Sequence, residues 1–232
     1  MKRNSKFKTQ NSKLPAHAGL VRWTFTRFYR EFAWTYDTVA AAVSGGQWPS
    51  WALAALPLLR GRVLELGCGT GNLQRALAAH PEYAAVGIDL SHQMLKLAQR
   101  KIPAARLARA QAEYLPFPDA NFDTLVATFP SEYIVVPATL DEVQRVLRPG
   151  GQIVIVLGAT YRTGTHYRRL IDRLYRVTLQ RPVLSPTPAS PTPQSVVAVR
   201  LAARDFAVRE ELHPDRAGGA DVHVIIATQT AR

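Results

Sequence analysis

Three glycines and two acids stand where they could bind a nucleoside. The run ELGCGTG begins at Glu65 and contributes Gly67, Gly69 and Gly71. Glycine has no Cβ, so the backbone at such positions can take a positive φ angle and approach a ligand closely. Asp89 follows 18 residues after the last glycine, where an acid can accept hydrogen bonds from both hydroxyls of a ribose. The spacing therefore predicts a nucleoside site.

The glycine pattern does not match the common phosphate-binding loops. A Walker loop needs a lysine and a hydroxyl after its last glycine, and here Asn72 and Leu73 follow. A dinucleotide fingerprint needs a sixth-position glycine, which is replaced by Asn72 or Gln74, so an NAD or FAD site is disfavoured. The carboxylate of Glu65 would repel a phosphate but attract an ammonium group. A nucleoside that carries a cationic amino acid and no phosphate is S-adenosylmethionine.

Alternating strands and helices must position these residues. The alternation predicts a parallel sheet covered by helices on both faces, and Ser91 is the predicted N-cap of one helix. Two later strands, joined by a turn at Gly218-Gly219, predict an antiparallel hairpin at the sheet edge, while Arg148 to Gly151 are expected to break the chain. The predicted strands are 62–66, 84–89, 105–108, 122–128, 152–157, 207–212 and 221–228; the predicted helices are 51–59, 72–79, 93–101, 140–146, 161–179 and 195–205.

Four segments in order resemble the motifs of class I S-adenosylmethionine-dependent methyltransferases, in the group that contains the ubiquinone/menaquinone-type (methyltransferase type 11) enzymes. They are VLELGCGTGNL, GIDLSHQML, AQAEYLPFPDANFDTLVATF and LDEVQRVLRPGGQIVIV, and the resemblance spans about residues 34–157 and, more weakly, the closing hairpin. It implies an α/β, Rossmann-like sheet of seven strands, mostly parallel with an antiparallel closing hairpin, and S-adenosyl-L-methionine as cofactor.

The resemblance also implies roles for residues at the methionine end of the donor. Glu65 would hold the amino group, and the three glycines would line the backbone of the methionine moiety. Thr128 would offer its carbonyl nearby, and Tyr36, next to Asp37, would cap the site from the N-terminal helices.

At the nucleoside end, the resemblance places Asp89 at the ribose. Leu90 and Met94 would lie beside the adenine, and Ala112 and Glu113 would flank it. The family usually bonds the adenine amine with an acid, whereas this chain has Gln111, whose amide carbonyl can accept the same bond.

Residues that could act on the methyl acceptor are less defined. Transfer from a sulfonium needs mainly alignment and desolvation, and a base is required only when the nucleophile starts protonated. Candidate substrate contacts or bases are Glu132, Tyr133, His166 and Tyr167; equally, Glu132 could cap a helix and Tyr133 could be a core aromatic. The segment FPSEY at 129–133 lacks the N-P-P-Y/F pattern of adenine or amide N-methylation, and no metal spacing is seen.

Charge is concentrated in two segments. The formal net charge is +12; residues 1–30 hold eight basic side chains and no acid, and residues 161–182 hold six arginines against one acid. Such segments favour peripheral contact with an anionic membrane and, less strongly, with nucleic acid, although the arginines could equally be solvated. The single cysteine, Cys68, excludes an internal disulfide and fits a cytoplasmic location.

We expect a disordered basic tail at 1–18, cap helices at 19–60 and a methyltransferase core at 61–232, with a basic helical and proline-rich insertion at 161–193. The function predicted from the sequence is methyl transfer to a small molecule, hydrophobic or anionic, such as a lipid or a quinone. The alternatives are an RNA methyltransferase guided by the basic tail and a non-catalytic S-adenosylmethionine-binding protein.

Overall fold

Seven strands form one mixed sheet in the computed structural model, which describes residue 44 and residues 46–161, 195–215 and 219–230. Their order across the sheet is β3-β2-β1-β4-β5-β7-β6; β1 to β5 are parallel, and β7 is antiparallel to both of its neighbours. The strands are β1 Arg62–Leu66, β2 Ala84–Asp89, β3 Leu107–Arg109, β4 Phe122–Thr128, β5 Leu147–Tyr161, β6 Phe206–Pro214 and β7 Ala220–Gln229.

Five α-helices and two 3₁₀ segments accompany the sheet within the described residues. They are α1 Trp48–Ala52, followed by the 3₁₀ segment Leu53–Leu58; α2 Asn72–Ala78; α3 His92–Lys101; the 3₁₀ segment Glu132–Val135; α4 Pro137–Val146; and α5 Val196–Ala202. The side chain of Ser91 caps α3 by accepting the Met94 N–H at 3.3 Å, as the sequence predicted. Ser195 caps α5 in the same way, accepting the Ala198 N–H at 3.1 Å.

The sheet has a hydrophobic core on each face. Side chains alternate along a strand, so Val63 joins the core that contains α1 and α2, while Leu64 and Leu66 join the core that contains α4 and α5. Glu65 shares the Val63 face by the same alternation. The polar side chain of Glu65 therefore points toward α2, where a polar partner has to meet it.

The predicted parallel sheet with an antiparallel closing hairpin is confirmed, and the differences lie at element ends. The expected break at Arg148 to Gly151 is a bulge within β5. The strand starts at Leu147, opposite Phe122, and its register with β4 shifts before Gln152 pairs with Thr124, with Gly150 at φ 73° between them. Strand β5 also continues to Tyr161, since β7 pairs with it as far as Ala220. The helix predicted to reach residue 205 ends at Ala202, and Asp205 at φ 60° turns the chain into β6.

Several predicted features lie outside the described residues. They are the basic tail and most of the cap helices at 1–43, the basic helix and proline-rich segment at 162–194, and Gly218 of the predicted turn.

Candidate active site

A cavity of about 820 Å³ opens at the carboxyl ends of the parallel strands. It lies where the chain order reverses, since β2 lies on one side of β1 and β4 on the other, which is the usual ligand position in open α/β sheets. Most of the predicted site residues lie in its wall: Glu65, Gly67, Gly69, Asp89, Leu90, Met94, Gln111, Ala112, Glu113, Thr128 and Tyr133. The topology thus brings together residues that are up to 68 positions apart in the sequence, from Glu65 to Tyr133.

The glycine loop is held by backbone bonds and by one tyrosine. The Cys68 N–H donates to the Ile88 carbonyl at 2.9 Å, which ties the loop to the end of β2. Tyr133 Oη donates to the Leu66 carbonyl at 3.0 Å. Gly67 has φ 70°, and a Cβ there would lie 2.8 Å from Tyr133 Oη. The tyrosine therefore occupies the space that any side chain at position 67 would need.

Gly71 does not line the cavity, unlike the other two glycines of the loop. It precedes α2 at φ 86°, and a Cβ there would lie 2.8 Å from Ile102 Cδ1 and 3.1 Å from Ala98 Cβ. Gly71 thus lets the start of α2 pack against α3. A Cβ at Gly69, by contrast, would meet nothing within 4 Å, so this part of the loop faces open space.

Asp89 is fixed by two backbone donors. Its Oδ2 accepts the Gly69 N–H at 2.9 Å, and its Oδ1 accepts the Ser91 N–H at 2.7 Å. Burial raises the pKa of Asp89, and the two hydrogen bonds oppose that rise. Each oxygen keeps a further lone pair, so the carboxylate can still accept hydrogen bonds from a ligand diol.

Glu65 is a buried acid with a single polar partner among the described residues. Its side chain is 1% exposed, and its Oε2 accepts a hydrogen bond from Gln74 Nε2 at 2.8 Å. The pKa of Glu65 is raised to about 8: burial is the largest cause, the Gln74 hydrogen bond opposes it, and the charge of Asp89 adds to the rise. A carboxyl in this setting becomes a strong site for a cationic group that enters the cavity.

The residues predicted to hold the nucleoside follow β2 and β3. Arg109 Nε donates to the Leu90 carbonyl at 3.0 Å, and the Ala110 N–H donates to the Asp89 carbonyl at 3.3 Å. Gln111 and Tyr114 form an isolated antiparallel bridge, which folds the intervening Ala112 and Glu113 into a turn at the wall.

The part of the wall that follows β4 is aromatic. The rings of Trp48 and Phe129 have centroids 3.8 Å apart and planes tilted by 32°. Phe129 follows β4 directly at φ 51°, a left-handed conformation that is uncommon for a bulky residue, and its N–H donates to the Val156 carbonyl at 2.7 Å. Thr128, Pro130 and Ser131 lie beside it in the wall.

The four candidates for acting on the acceptor are placed differently. Tyr133 lies in the wall with its hydroxyl on the Leu66 carbonyl, whereas Glu132 is exposed and is not part of the wall. His166 and Tyr167, like the predicted cap residue Tyr36, lie outside the described residues.

The sequence reasoning gave no role to Trp48, Gln74 or Arg109. Arg109 ends β3, and the carboxyl end of a parallel strand is a position where a ligand contact could have been expected. Gln74 lies nine residues after Glu65 on α2, and Trp48 precedes the sheet, so no local pattern links either of them to the site.

Comparison with known proteins agrees with this geometry. A family profile described as a methyltransferase domain matches residues 63–151. A demethylmenaquinone methyltransferase of Thermus thermophilus is 31% identical over 208 residues, which cover 79% of this chain and 93% of that protein. A phosphatidylethanolamine N-methyltransferase of Cereibacter sphaeroides is 44% identical over 103 residues, which cover 41% of this chain and 50% of that protein.

Coverage of other relatives is shorter. For two further demethylmenaquinone methyltransferases the matched part is 55% of each relative, so the chain spans about half the length of several curated relatives that it matches.

The fold itself recurs in solved structures. A SAM-dependent methyltransferase of Thermotoga maritima superposes with a TM-score of 0.59 at 17% identity, covering 88% of this chain and 98% of that one. The sheet order, the acids at the ends of β1 and β2, and a relative matched over nearly its whole length lead to one assignment. The chain belongs to the class I S-adenosylmethionine-dependent methyltransferases, whose cofactor is S-adenosylmethionine.

Proposed function

We propose that the protein transfers a methyl group from S-adenosylmethionine to a small hydrophobic or anionic acceptor, such as a lipid or a quinone. The observation that carries the proposal is one cavity whose wall combines two chemically different parts. The acids Glu65 and Asp89 of β1 and β2 suit the donor, and the Trp48–Phe129 pair supplies aromatic surface.

The wall fits the donor residue by residue. Glu65 supplies a carboxyl whose second oxygen is not bonded by the described residues, in reach of an ammonium group. Asp89 is held with both oxygens oriented by backbone N–H groups, as ribose hydroxyls require. Gly67 and Gly69 bring backbone without a side chain to the cavity wall. S-adenosylmethionine, when bound, supplies an electrophilic methyl group on a sulfonium.

The protein's own contribution would be alignment and exclusion of water. Glu65, Asp89 and the glycine loop would fix the donor, while Trp48 and Phe129 would hold an apolar acceptor against it. Among the described wall residues that follow β4, the one titratable side chain is Tyr133, and its hydroxyl donates to the Leu66 carbonyl. We therefore favour an acceptor whose nucleophile ionises readily or is already neutral and nucleophilic.

The acceptor class draws support from relatives. Proteins named for demethylmenaquinone and for phosphatidylethanolamine align with this chain, so both a quinone and a phospholipid are chemically reasonable acceptors. A planar ring or an acyl chain would bury apolar surface against the Trp48–Phe129 pair, at about 25 cal/mol per Å².

The donor assignment is tested by calorimetric titration with S-adenosylmethionine. We expect the wild type to bind and Asp89→Ala to lose about tenfold or more in affinity, because two charge-assisted hydrogen bonds to the ribose disappear. Absence of binding to the wild type, or unchanged binding after Asp89→Ala, would refute the assignment.

The acceptor is tested with a radiolabelled methyl donor. Label is expected in the lipid fraction of a cell extract incubated with the wild type, and much less of it with Asp89→Ala at the same donor concentration. Label in RNA would favour the RNA methyltransferase alternative, and binding of the donor without any labelled product would favour a non-catalytic donor-binding protein.

We extend the proposal to location: a cytoplasmic protein that touches an anionic membrane through the basic segments 1–30 and 161–182. No helix in the described part of the chain is long and apolar enough to cross a membrane. Flotation with vesicles containing an anionic phospholipid should recover the protein at low salt and release it at high salt. Retention on RNA instead of vesicles would overturn this extension.

A further inference from the structure

Gln74 makes the one described hydrogen bond to the buried acid of the donor site. Its Nε2 lies 2.8 Å from Glu65 Oε2, and both side chains are almost fully buried, at 2% and 1% exposed. Gln74 is the third residue of α2, so the helix that follows the glycine loop returns a side chain to the strand that precedes it.

The position of Gln74 is set by the packing around it. Gly87 of β2 pairs directly with Glu65 of β1, and a Cβ on Gly87 would lie 3.0 Å from Gln74 Cδ. The same Cβ would lie 3.1 Å from Cys68 Cβ and 3.0 Å from Leu107 Cδ2. A residue without a side chain at position 87 therefore gives the Gln74 amide its place beside Glu65.

The charge balance around Glu65 is negative. Asp89 of β2 raises the proton affinity of Glu65 electrostatically, while Cys68 of the glycine loop stays a neutral thiol because burial raises its pKa. The facing residues of β4 are Thr124, Val126 and Thr128, and α1 contributes Trp48 and Ala52 to the cavity wall, none of them cationic. Tyr133 is engaged with the Leu66 carbonyl.

The cations of the cavity wall lie elsewhere. Arg109 is paired opposite Asp89 in β3, two strand spacings or roughly 10 Å from β1, and its Nε donates to the Leu90 carbonyl. His92 lies at the start of α3, after β2. Among the described residues, the partner of Glu65 is thus a neutral amide.

We propose that Gln74 is a positioning residue for the donor: its amide holds one oxygen of Glu65, the other oxygen receives the donor's ammonium group, and binding expels the Glu65 proton to solvent. The inference rests on the proposed binding of S-adenosylmethionine and adds to it a role for Gln74 and the release of one proton. The partner of Glu65 has to be neutral for this role. A lysine at position 74 would itself neutralise the Glu65 carboxylate, which the donor's ammonium group would otherwise do.

A dependence of affinity on pH follows. Glu65, with its pKa near 8, carries a proton at pH 6 to 7 before the donor arrives, and the ammonium favours the carboxylate. Donor binding then releases about one proton, and affinity rises up to about tenfold per pH unit between pH 6 and 7.5. Near pH 8 the rise ends, because Glu65 of the free protein is itself ionised there and the donor's own amino group begins to lose its proton.

The test uses the full chain and three variants. Titrations with S-adenosylmethionine in two buffers of different ionisation enthalpy give the affinity and the number of protons released at each pH. Gln74→Met keeps the size of the side chain without the donor group, and Glu65→Gln removes the titrating acid. Gln144→Met, on α4 at the opposite face, is the matched control.

Gln74→Met is expected to weaken S-adenosylmethionine binding about tenfold at pH 7 while the release of a proton remains, and Glu65→Gln is expected to abolish that release. Methylthioadenosine, which lacks the amino-acid part, should bind wild type and Gln74→Met with affinities that agree within about twofold. Gln144→Met should match the wild type with both ligands.

Different results would contradict the Gln74 inference and the proposed function. A wild type that binds S-adenosylmethionine without releasing a proton, or a Gln74→Met protein with wild-type affinity, overturns the inference and leaves the proposed function standing. Equal weakening toward S-adenosylmethionine and methylthioadenosine would mean that Gln74 only supports the fold. A wild type that binds neither ligand refutes the proposed function itself.

Discussion

At the scale of single residues, the three glycines of the loop share a conformational reason for lacking a side chain, and two of them also have a steric one. Gly67 is opposed by the Tyr133 hydroxyl, Gly71 by the side chains of α3, and Gly69 by nothing within 4 Å. All three have positive φ angles, so they share a conformational requirement and differ in the space around them.

This difference predicts unequal effects of alanine. Gly69→Ala should cost about 1–2 kcal/mol of unfolding free energy from the left-handed backbone alone. Gly67→Ala should cost more, because its Cβ would lie 2.8 Å from Tyr133 Oη. Urea unfolding of both variants measures the comparison.

Tyr133→Phe provides the control for that pair. Without the hydroxyl, the nearest ring atom to the new Cβ would be 3.5 Å away, so Gly67→Ala should be less harmful when it is combined with Tyr133→Phe. If Gly67→Ala lowers the unfolding free energy equally with and without the tyrosine hydroxyl, the steric explanation is contradicted.

The residues that can be predicted from the sequence are those whose role is local in type and spacing. Glu65 and Asp89 each end or nearly end a predicted strand, and a charged residue in a buried strand is unusual enough to suggest a ligand. Gln74 and Trp48 acquire their places only when α2 returns to β1 and α1 brings Trp48 onto Phe129. Those contacts are tertiary and produce no periodic pattern in the sequence.

At the scale of elements, α4 anchors the loop that follows the nucleoside end of the site. Arg145 donates from Nη1 to the Phe117 carbonyl at 2.8 Å and from Nη2 to the Leu115 carbonyl at 3.0 Å. Glu142 accepts the Leu115 N–H at 2.7 Å and pairs with Arg145 Nε at 2.7 Å. The loop that follows Ala112 and Glu113 is therefore held by hydrogen bonds from α4.

Arg145→Met should lower the unfolding free energy by about 2 kcal/mol, since several hydrogen bonds to a charged group are lost together. Arg204→Met, which breaks an ion pair with the exposed Asp141, is the control and should cost at most about 1 kcal/mol. Thermal unfolding of the two variants gives the comparison, and equal losses would contradict a specific anchoring role for Arg145.

Element types could be predicted well, and element ends less well. The alternation of apolar strands and amphipathic helices fixes the parallel sheet, because both faces of its strands must be covered. The extra length of β5 and the early end of α5 depend on the partner strand β7 and on the turn at Asp205, neither of which has a signal inside those elements.

At the scale of the whole molecule, the buried acid of the donor site couples folding to pH. The pKa of Glu65 is raised to about 8, so the folded protein holds a proton that the unfolded chain, with an ordinary glutamate near 4.5, releases. Stability from this group is complete below about pH 4.5 and is lost as the pH rises toward 8.

In the absence of S-adenosylmethionine, each rise of one pH unit between about pH 4.5 and 8 should therefore lower the unfolding free energy by up to about 1.4 kcal/mol. Chemical unfolding of wild type and Glu65→Gln at pH 6, 7 and 8 measures the effect. The variant should lack this part of the dependence, and parallel pH curves for the two proteins would show that Glu65 does not titrate in the window.

The buried thiol of the glycine loop has a further consequence for a protein that handles an alkylating reagent. Cys68 lies in the wall of the cavity, and its pKa is raised by burial and by the charges of Glu65 and Asp89. A thiolate is the nucleophile of cysteine chemistry, and at this place it is suppressed. Burial, with the two acids beside it, thus favours a neutral thiol at Cys68, the form that a methyl donor in the same cavity alkylates least.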